Sequence, residues 1–420
     1  GLIIGSGIFK FPQLVAMNSA SDAMFLAVWV IGGLLTLIGA LCYAELAAAY
    51  PSAGGDYFFL QRAYGRAISF LFAWARIAVI TTGAIALLGF VFGDYMSNLV
   101  RLGPHSSAIW AAIAIIAFTV VNLVGIHETR RAQNFVTVLE VLGLIGVIAA
   151  GVLIAAPAAA PAAAAVPVEP KPWHAGIGMA MIFVLFTYSG WNEGAYISAE
   201  LKDKRRSLPI ALVVSTLLVT ALYLLVNYGY LRTLGLEGMT KTGTVAADVL
   251  NRAMGDVAGK VISLIVAISA LTSINATIIV GARSNFALGR DWHVFRWLGH
   301  WDERTGTPKN AVLLQGAVAI ALVLAASFAR DGVEAMVNYT TPVFYFFFML
   351  VGIALFVLRS RDSRTERPFK VPLFPLTPII FILMCAGLLW SSLTYNGVYA
   401  LFGVGVLAVG ALILALGPKQ

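Results

Sequence analysis

The stretch Gly5-Ser6-Gly7-Ile8-Phe9, with Pro12 close behind it, interrupts an apolar segment with residues that do not favour a continuous helix. Five apolar segments further on, Tyr188-Ser189-Gly190-Trp191-Asn192, followed by Gly194, interrupts another. Glycine loses the most backbone freedom in a helix and proline lacks the amide donor, so each stretch reads as a break in a membrane-spanning helix. A break frees N–H groups at the start of one half-helix and carbonyls at the end of the other. The N–H end suits a carboxylate, and the carbonyl end suits an ammonium group or a metal cation. Two breaks five spans apart are the pattern of transporter folds built from inverted five-helix repeats, with the substrate at mid-membrane between the broken helices. A zwitterionic amino acid matches those two ends without any charged side chain. The competing reading is that these glycines only let helices pack closely, which is common in membranes; the five-span interval favours a site.

Composition supports the membrane reading. Of 420 residues, 60% are hydrophobic and 11% are charged, against about 25% charged in soluble domains. That excludes a soluble globular enzyme, a disordered chain and a disulfide scaffold. A helix needs about 20 apolar residues to cross a bilayer. The candidate spans are Gly1–Ser19 (incomplete), Ala23–Ala49, Ala67–Leu99, Ala108–Val124, Phe135–Ala156, Gly176–Ala199, Pro209–Leu231, Val257–Ala282, Asn310–Phe328, Val333–Leu358, Pro375–Leu393 and Val398–Leu416, about twelve in all. Gly1 already lies in an apolar run, so further residues are expected upstream. The net charge of +8 is no nucleic-acid signal. Loops after even-numbered spans and the tail hold nineteen Lys and Arg, and the opposite loops, counting Lys260 at the start of the eighth span, hold seven. Basic loops mark the cytoplasmic side, so the even-span loops and the C-terminus are expected inside and the protein in the plasma (inner) membrane. The expected organisation is a first repeat over 1–156, an Ala/Pro-rich outer loop over 157–175, a second repeat over 176–358 and two further spans over 359–420. Trp292–Trp301 reads as an interfacial helix. Cys42 and Cys385 lie in apolar runs and read as buried thiols.

These residues resemble the amino acid–polyamine–organocation transporters, and most nearly the L-type amino acid transporter branch. The likeness runs nearly end to end: Gly5 to Phe9; Tyr43-Ala44-Glu45-Leu46 with Pro51-Ser52-Ala53-Gly54-Gly55-Asp56-Tyr57; Phe186-Thr187-Tyr188-Ser189-Gly190-Trp191-Asn192; Leu208-Pro209-Ile210-Ala211; and Glu366-Arg367-Pro368-Phe369-Lys370-Val371-Pro372. The resemblance implies an all-α membrane protein of about 12 helices, with a LeuT-type 5+5 inverted repeat and broken helices 1 and 6. It implies a secondary active transporter with Gly5, Ser6 and Gly7, and Ile8 beside them, on the substrate carboxylate. The Phe186, Thr187 and Ser189 backbone would face the amine, Phe186 would act as a gate, and Gly190, Trp191 and Asn192 would line the site. Asn192 stands where polyamine and arginine exchangers of the wider family carry Glu. That favours a neutral L-amino acid over the alternative of a polyamine or cationic amino acid. Animal L-type transporters bind a glycoprotein through a Cys after span three; Val100–Ser107 has none, so no covalent partner is expected, and the chain is read as a monomer or weak homo-oligomer.

Ionisable groups inside spans cost at least ~2.5–3.5 kcal/mol on insertion scales and are functional candidates. Glu140, in span five, stands where related transporters often carry a Lys that resembles a substitute for bound sodium. Its carboxylate could take H⁺ or Na⁺ or pair with a basic residue, or it could be an exposed group near the cytoplasmic end of the helix. Thr272 and Ser273 resemble the hydroxyl pair of the sodium site in LeuT-type symporters, and hydroxyls suit a hard cation; the plainer reading is bonding to their own helix. Glu193 could attract a substrate amine, relay a proton or pair with Lys10. Asp94 reads as wet, Glu45 as a cap on loop contacts, and Arg76 as a snorkelling or gate residue. No resident cofactor is expected beyond a coupling ion. A membrane hydrolase is the rival class, but all five histidines fall in loops, away from Ser6 and Ser189, and a serine nucleophile needs a base in reach. Neither a repeated filter loop nor a phosphate-binding Gly-x-x-x-x-Gly-Lys motif is present.

Overall fold

A computed structural model describes residues 5–52, 54–125, 130–154, 173–192, 207–395 and 397–416. Among them every regular element is a helix, apart from one isolated bridge between Asp302 and Thr307. The helices are α1 (Gly7–Met17), α2 (Asp22–Ala49), α3 (Gly55–Tyr64), α4 (Arg66–Ala75), α5 (Thr81–Leu99), α6 (Ser106–Val124), α7 (Arg130–Ala149), α8 (Trp173–Thr187), α9 (Ser207–Thr240), α10 (Val245–Met254), α11 (Asp256–Asp291), α12 (Lys309–Ala326), α13 (Gly332–Arg361), α14 (Leu376–Tyr395) and α15 (Gly397–Leu416). A π-helical turn, Arg76–Ile80, joins α4 to α5 into one span, and another, Ala150–Ile154, ends α7. Among the described residues ten helices, counting α4–α5 as one, are long and apolar enough to cross a membrane, and α8 carries a shorter apolar helix, Gly176–Thr187.

Local chemistry sets several ends. Ser21 caps α2 by accepting from the Met24 N–H, and Asp331 caps α13 by accepting from the Val333 and Glu334 N–H groups, each supplying orphan first-turn donors with an acceptor. Several helices outrun the expected spans. α9 continues past Leu231 to Thr240, with a bend at Gly235, and α11 continues past Ala282 to Asp291. Hydropathy locates the hydrocarbon core, whereas a helix ends where its hydrogen bonding ends, so charged turns outside the core stay helical. Trp292–Trp301 holds a short 3₁₀ helix, His293–Gly299, that buries Phe295 and Leu298 and exposes Trp297.

The packing follows the five-span interval. α1 lies against α8, α2 against α9, α4–α5 against α11, and α6 against α12. These are spans one and six, two and seven, three and eight, four and nine. Apolar side chains such as Leu142 and Ile145 on α7, Leu217 and Leu218 on α9, and Leu401 and Phe402 on α15 point outward, exposed in the isolated chain and suited to lipid. Buried amides stitch the interior: the Asn122 amide donates to the Asn275 side chain at 2.7 Å, and Gln315 to the Ile278 carbonyl at 2.8 Å. Such bonds and small residues hold helices together where lipid is as apolar as the side chains.

Candidate functional site

The two interruptions meet. Ser6, 2% exposed, precedes α1. A Cβ placed on Gly7 would lie 3.5 Å from the Thr187 Cα, at the last turn of α8, and 3.2 Å from the Phe11 ring. Gly7 is thus the small residue that brings the start of α1 onto the end of α8. The expected sixth span, Gly176–Ala199, leaves the α-helix at Thr187. A turn follows over Tyr188, Ser189 and Gly190, and Gly190 adopts φ +102°, which side-chain-bearing residues rarely take. The N–H end of one half-helix therefore faces the carbonyl end of the other. Gly1–Ile4 and everything from Glu193 to Arg206 lie outside the described residues, so the Glu193 expectation does too.

Tyrosines hold the carbonyls at the breaks. Pro12 cannot donate to the Ile8 carbonyl four residues earlier, and the Tyr230 hydroxyl donates to it instead at 3.4 Å. The Tyr95 hydroxyl donates to the Phe9 carbonyl at 2.8 Å, and that of Tyr223 to the Thr187 carbonyl at 3.5 Å. All three phenols are fully buried. The Thr187 hydroxyl turns back on the Phe183 carbonyl at 2.9 Å. The half-buried Phe186 ring rests on Phe11 and Phe344, with centroids 6.4 and 5.7 Å away. Trp191 turns from the break into an aromatic cluster, 5.0 Å from the Tyr43 ring and 5.7 Å from Phe348. Ser189 and Asn192 line a cavity of about 20 Å³ with Thr36, Leu185, Phe344 and Met384.

Ionisable groups sit at three places in this framework. Glu140 on α7 is 4% exposed and accepts from the Ser269 hydroxyl of α11, so the exposed-end reading fails. Its partner is Ser269, one turn before the expected Thr272 and Ser273. Thr272 is half-buried and donates to the Ser269 carbonyl at 2.9 Å, so its hydroxyl serves its own helix. Lys10, 2% exposed, meets Asp94 of α5 at 2.9 Å and Asp331 at 2.8 Å, and donates to Gln13 at 3.2 Å. Asp94, 21% exposed, is thus a partner in an ion pair and not a free wet carboxylate: Ser107 also donates to it at 2.6 Å. Glu45, fully buried near the end of α2, takes both arms of Arg359 at 2.7 and 2.5 Å and the Val371 N–H at 2.7 Å. Glu45 thus ties α2 to α13 and to the loop before α14, in line with its reading as a loop contact. Arg76 begins the π-helical turn in the third span, a feature frequent at functional positions.

The family model described as amino acid permease matches residues 1–414. The chain belongs to the amino acid permease family. As a permease it is an amino acid transporter of the amino acid–polyamine–organocation superfamily, not an enzyme, and its helical architecture agrees with the LeuT-type fold. It is similar to the b(0,+)-type amino acid transporter 1 of Mus musculus, 30% identical over 388 residues, covering 91% of this chain and 78% of that protein. It is 29% identical over 385 residues to the serine/threonine exchanger SteT of Bacillus subtilis (strain 168), covering 91% and 86%. It is 29% identical over 429 residues to the large neutral amino acids transporter small subunit 2 of Homo sapiens, covering 99% and 78%.

In this permease the start of α1 and the end of α8 meet at Gly7 and Thr187, and Phe186 rests on Phe11 of α1, while Ser189, Asn192 and Trp191 line the cavity beside α2, α13 and α14. Sequence reading missed Tyr95, Tyr223, Tyr230 and Ser269. The signal for Tyr230 was Pro12, which announces a free carbonyl but not the residue that fills it.

Proposed function

We propose that this permease carries a neutral L-amino acid by alternating access, with the substrate held between the start of α1 and the end of α8. The observation that supports this reading most directly is the approach of Gly7 to Thr187, which sets a helix N-terminus against carbonyls freed at a helix C-terminus. The carboxylate is assigned to the N–H groups after Gly5, Ser6 and Gly7, and the amine to the carbonyls from Phe186 to Ser189. Asn192 keeps the site free of formal charge, which disfavours a polyamine. Glu140 with Ser269 supplies oxygen atoms suited to H⁺ or Na⁺, and we assign coupling to them, with exchange as the other mode of operation. The even-span loops and C-terminus are assigned to the cytoplasm on the distribution of basic residues, the chain to the plasma membrane, and no covalently bound partner is assigned, since the loop after α5 has no cysteine.

The test is uptake into proteoliposomes with pH, Na⁺ and counter-substrate gradients imposed separately. Accumulation of a neutral amino acid under a cation gradient is the expected result. Transport restricted to arginine or polyamines would overturn the substrate reading.

A further inference from the structure

We propose that Thr36 is the specificity residue of the substrate's side-chain pocket, and that it selects short hydroxylated amino acids of the serine and threonine type. This inference rests on the binding mode proposed above. Thr36 lies in the middle of α2, 2% exposed, and its hydroxyl has no hydrogen-bond partner. Buried threonines in membrane helices usually bond to the carbonyl four residues earlier. Thr119, Thr187, Thr220 and Thr233 all do so here. Thr36, like Thr82 and Thr216, does not, and Thr36 also lines a cavity, so its desolvated donor and acceptor is open to something that enters there.

That cavity borders the proposed site. Ser189 and Asn192 belong to the turn after α8, and Phe344 touches both the cavity and the Phe186 ring. In the proposed mode the side chain of a substrate anchored at the breaks passes Ser189 toward Thr36, which lies in the same cavity lining as Ser189. The lining joins the neutral polar side chains of Thr36, Ser189, Asn192, Tyr345 and Trp191 to apolar walls such as Leu185, Phe344 and Met384, and carries no charge. Its volume, about 20 Å³, holds one water-sized group, which needs roughly 10–15 Å³ on this measure. A hydroxyl on a one- or two-carbon side chain fits both the size and the vacant hydrogen bond. A site built to bond a hydroxyl rejects the analogue that lacks it, because the buried partner stays unpaired.

The test is competition against radiolabelled alanine uptake in proteoliposomes, with serine, threonine, alanine and leucine as competitors, for wild type, Thr36→Val and Thr36→Ser. Thr36→Val keeps the shape and removes the hydroxyl. The expected result is that wild type prefers serine and threonine to alanine and leucine. Thr36→Val should weaken serine and threonine at least tenfold and alanine less than twofold, and Thr36→Ser should restore the preference. An unchanged serine-to-alanine ratio in Thr36→Val, or a wild-type preference for leucine, overturns the role of Thr36 while the site between the breaks stands. Absence of any neutral amino acid uptake by wild type overturns both.

Discussion

Removal of the Lys10 ammonium should unlatch one end of the bundle. Lys10 sits on α1, the half-helix that begins at the substrate break, and fastens it to α5 through Asp94 and to α13 through Asp331. Lys10 is 2% exposed, and the two carboxylates are 21% and 19% exposed. Deleting one member of a buried ion pair costs about 3–5 kcal/mol, because a charge is left without compensation. The carboxylates keep a fifth of their surface open, so the lower end, about 3 kcal/mol, applies. At 1.36 kcal/mol per factor of ten, that moves an opening equilibrium roughly 150-fold. The assay is the rate at which a membrane-impermeant thiol reagent labels Phe11→Cys, with and without Lys10→Met. Phe11 is 3% exposed one position beyond Lys10, and the native Cys42 and Cys385 are buried. Lys10→Met should raise labelling about a hundredfold. Adding Asp94→Asn and Asp331→Asn, which removes the uncompensated charge and leaves an Asn cap on α13, should recover thermal stability without recovering closure. Labelling that rises less than threefold, or a triple variant no more stable than Lys10→Met alone, would refute the reasoning.

Glu140→Gln should abolish accumulation driven by a cation gradient while exchange persists, and Ser269→Ala should weaken coupling in the same direction; wild-type exchange indifferent to H⁺ and Na⁺ would sink the assignment. Gly190→Val forces a β-branched side chain into φ +102°, a strain of about 1–3 kcal/mol placed at the break, and should abolish substrate protection against thermal unfolding, whereas protection equal to wild type would count against the site. Pro342→Ala should replace a helix-breaking residue with the best helix former, a propensity change of about 3 kcal/mol, and should lower turnover more than tenfold with substrate affinity within threefold, as read from initial rates and binding; unchanged turnover would speak against movement at that position.

The spans, the two breaks and the charge distribution were legible because each depends on local composition. Gly5-Ser6-Gly7 and Gly190 advertise their conformations in residue type alone. Partners between distant helices were not legible, because helical phase and depth decide them. Thr272 and Ser273 lie on the right stretch of α11, yet Ser269, one turn away, is the residue that reaches Glu140. Pattern reading cannot separate successive turns of an apolar helix. For Glu140 the deciding quantity was depth. Ten residues from Arg130 amount to about 15 Å at 1.5 Å per residue, half of a hydrocarbon core ~30 Å thick, which places the carboxylate inside. Tyr95, Tyr223 and Tyr230 are indistinguishable in sequence from aromatic core residues, and only the direction of their hydroxyls makes them partners of the break carbonyls.

α13 connects these features mechanically. Asp331 at its first turn grips Lys10, and Arg359 near its last turn grips Glu45. These contacts are about 28 residues apart, roughly 40 Å along a helix, so the same helix is fastened at opposite ends of the bundle. A rigid rod held at both ends could not let one end open while the other stays shut. α13 is not uniform, because Pro342 in its interior has no N–H for the Asn338 carbonyl and disfavours a straight helix. The turn before it is braced by side chains instead, with the Thr340 hydroxyl donating to the Met336 carbonyl at 2.9 Å and that of Thr341 to Val337 at 2.5 Å. Two residues after the proline comes Phe344, which touches the Phe186 ring and lines the Thr36 cavity. The weakest point of the helix therefore lies at the level of the proposed substrate. Bending there would let the Lys10 and Glu45 fastenings release one at a time, and would make the side chain in the pocket the element that each bend must accommodate.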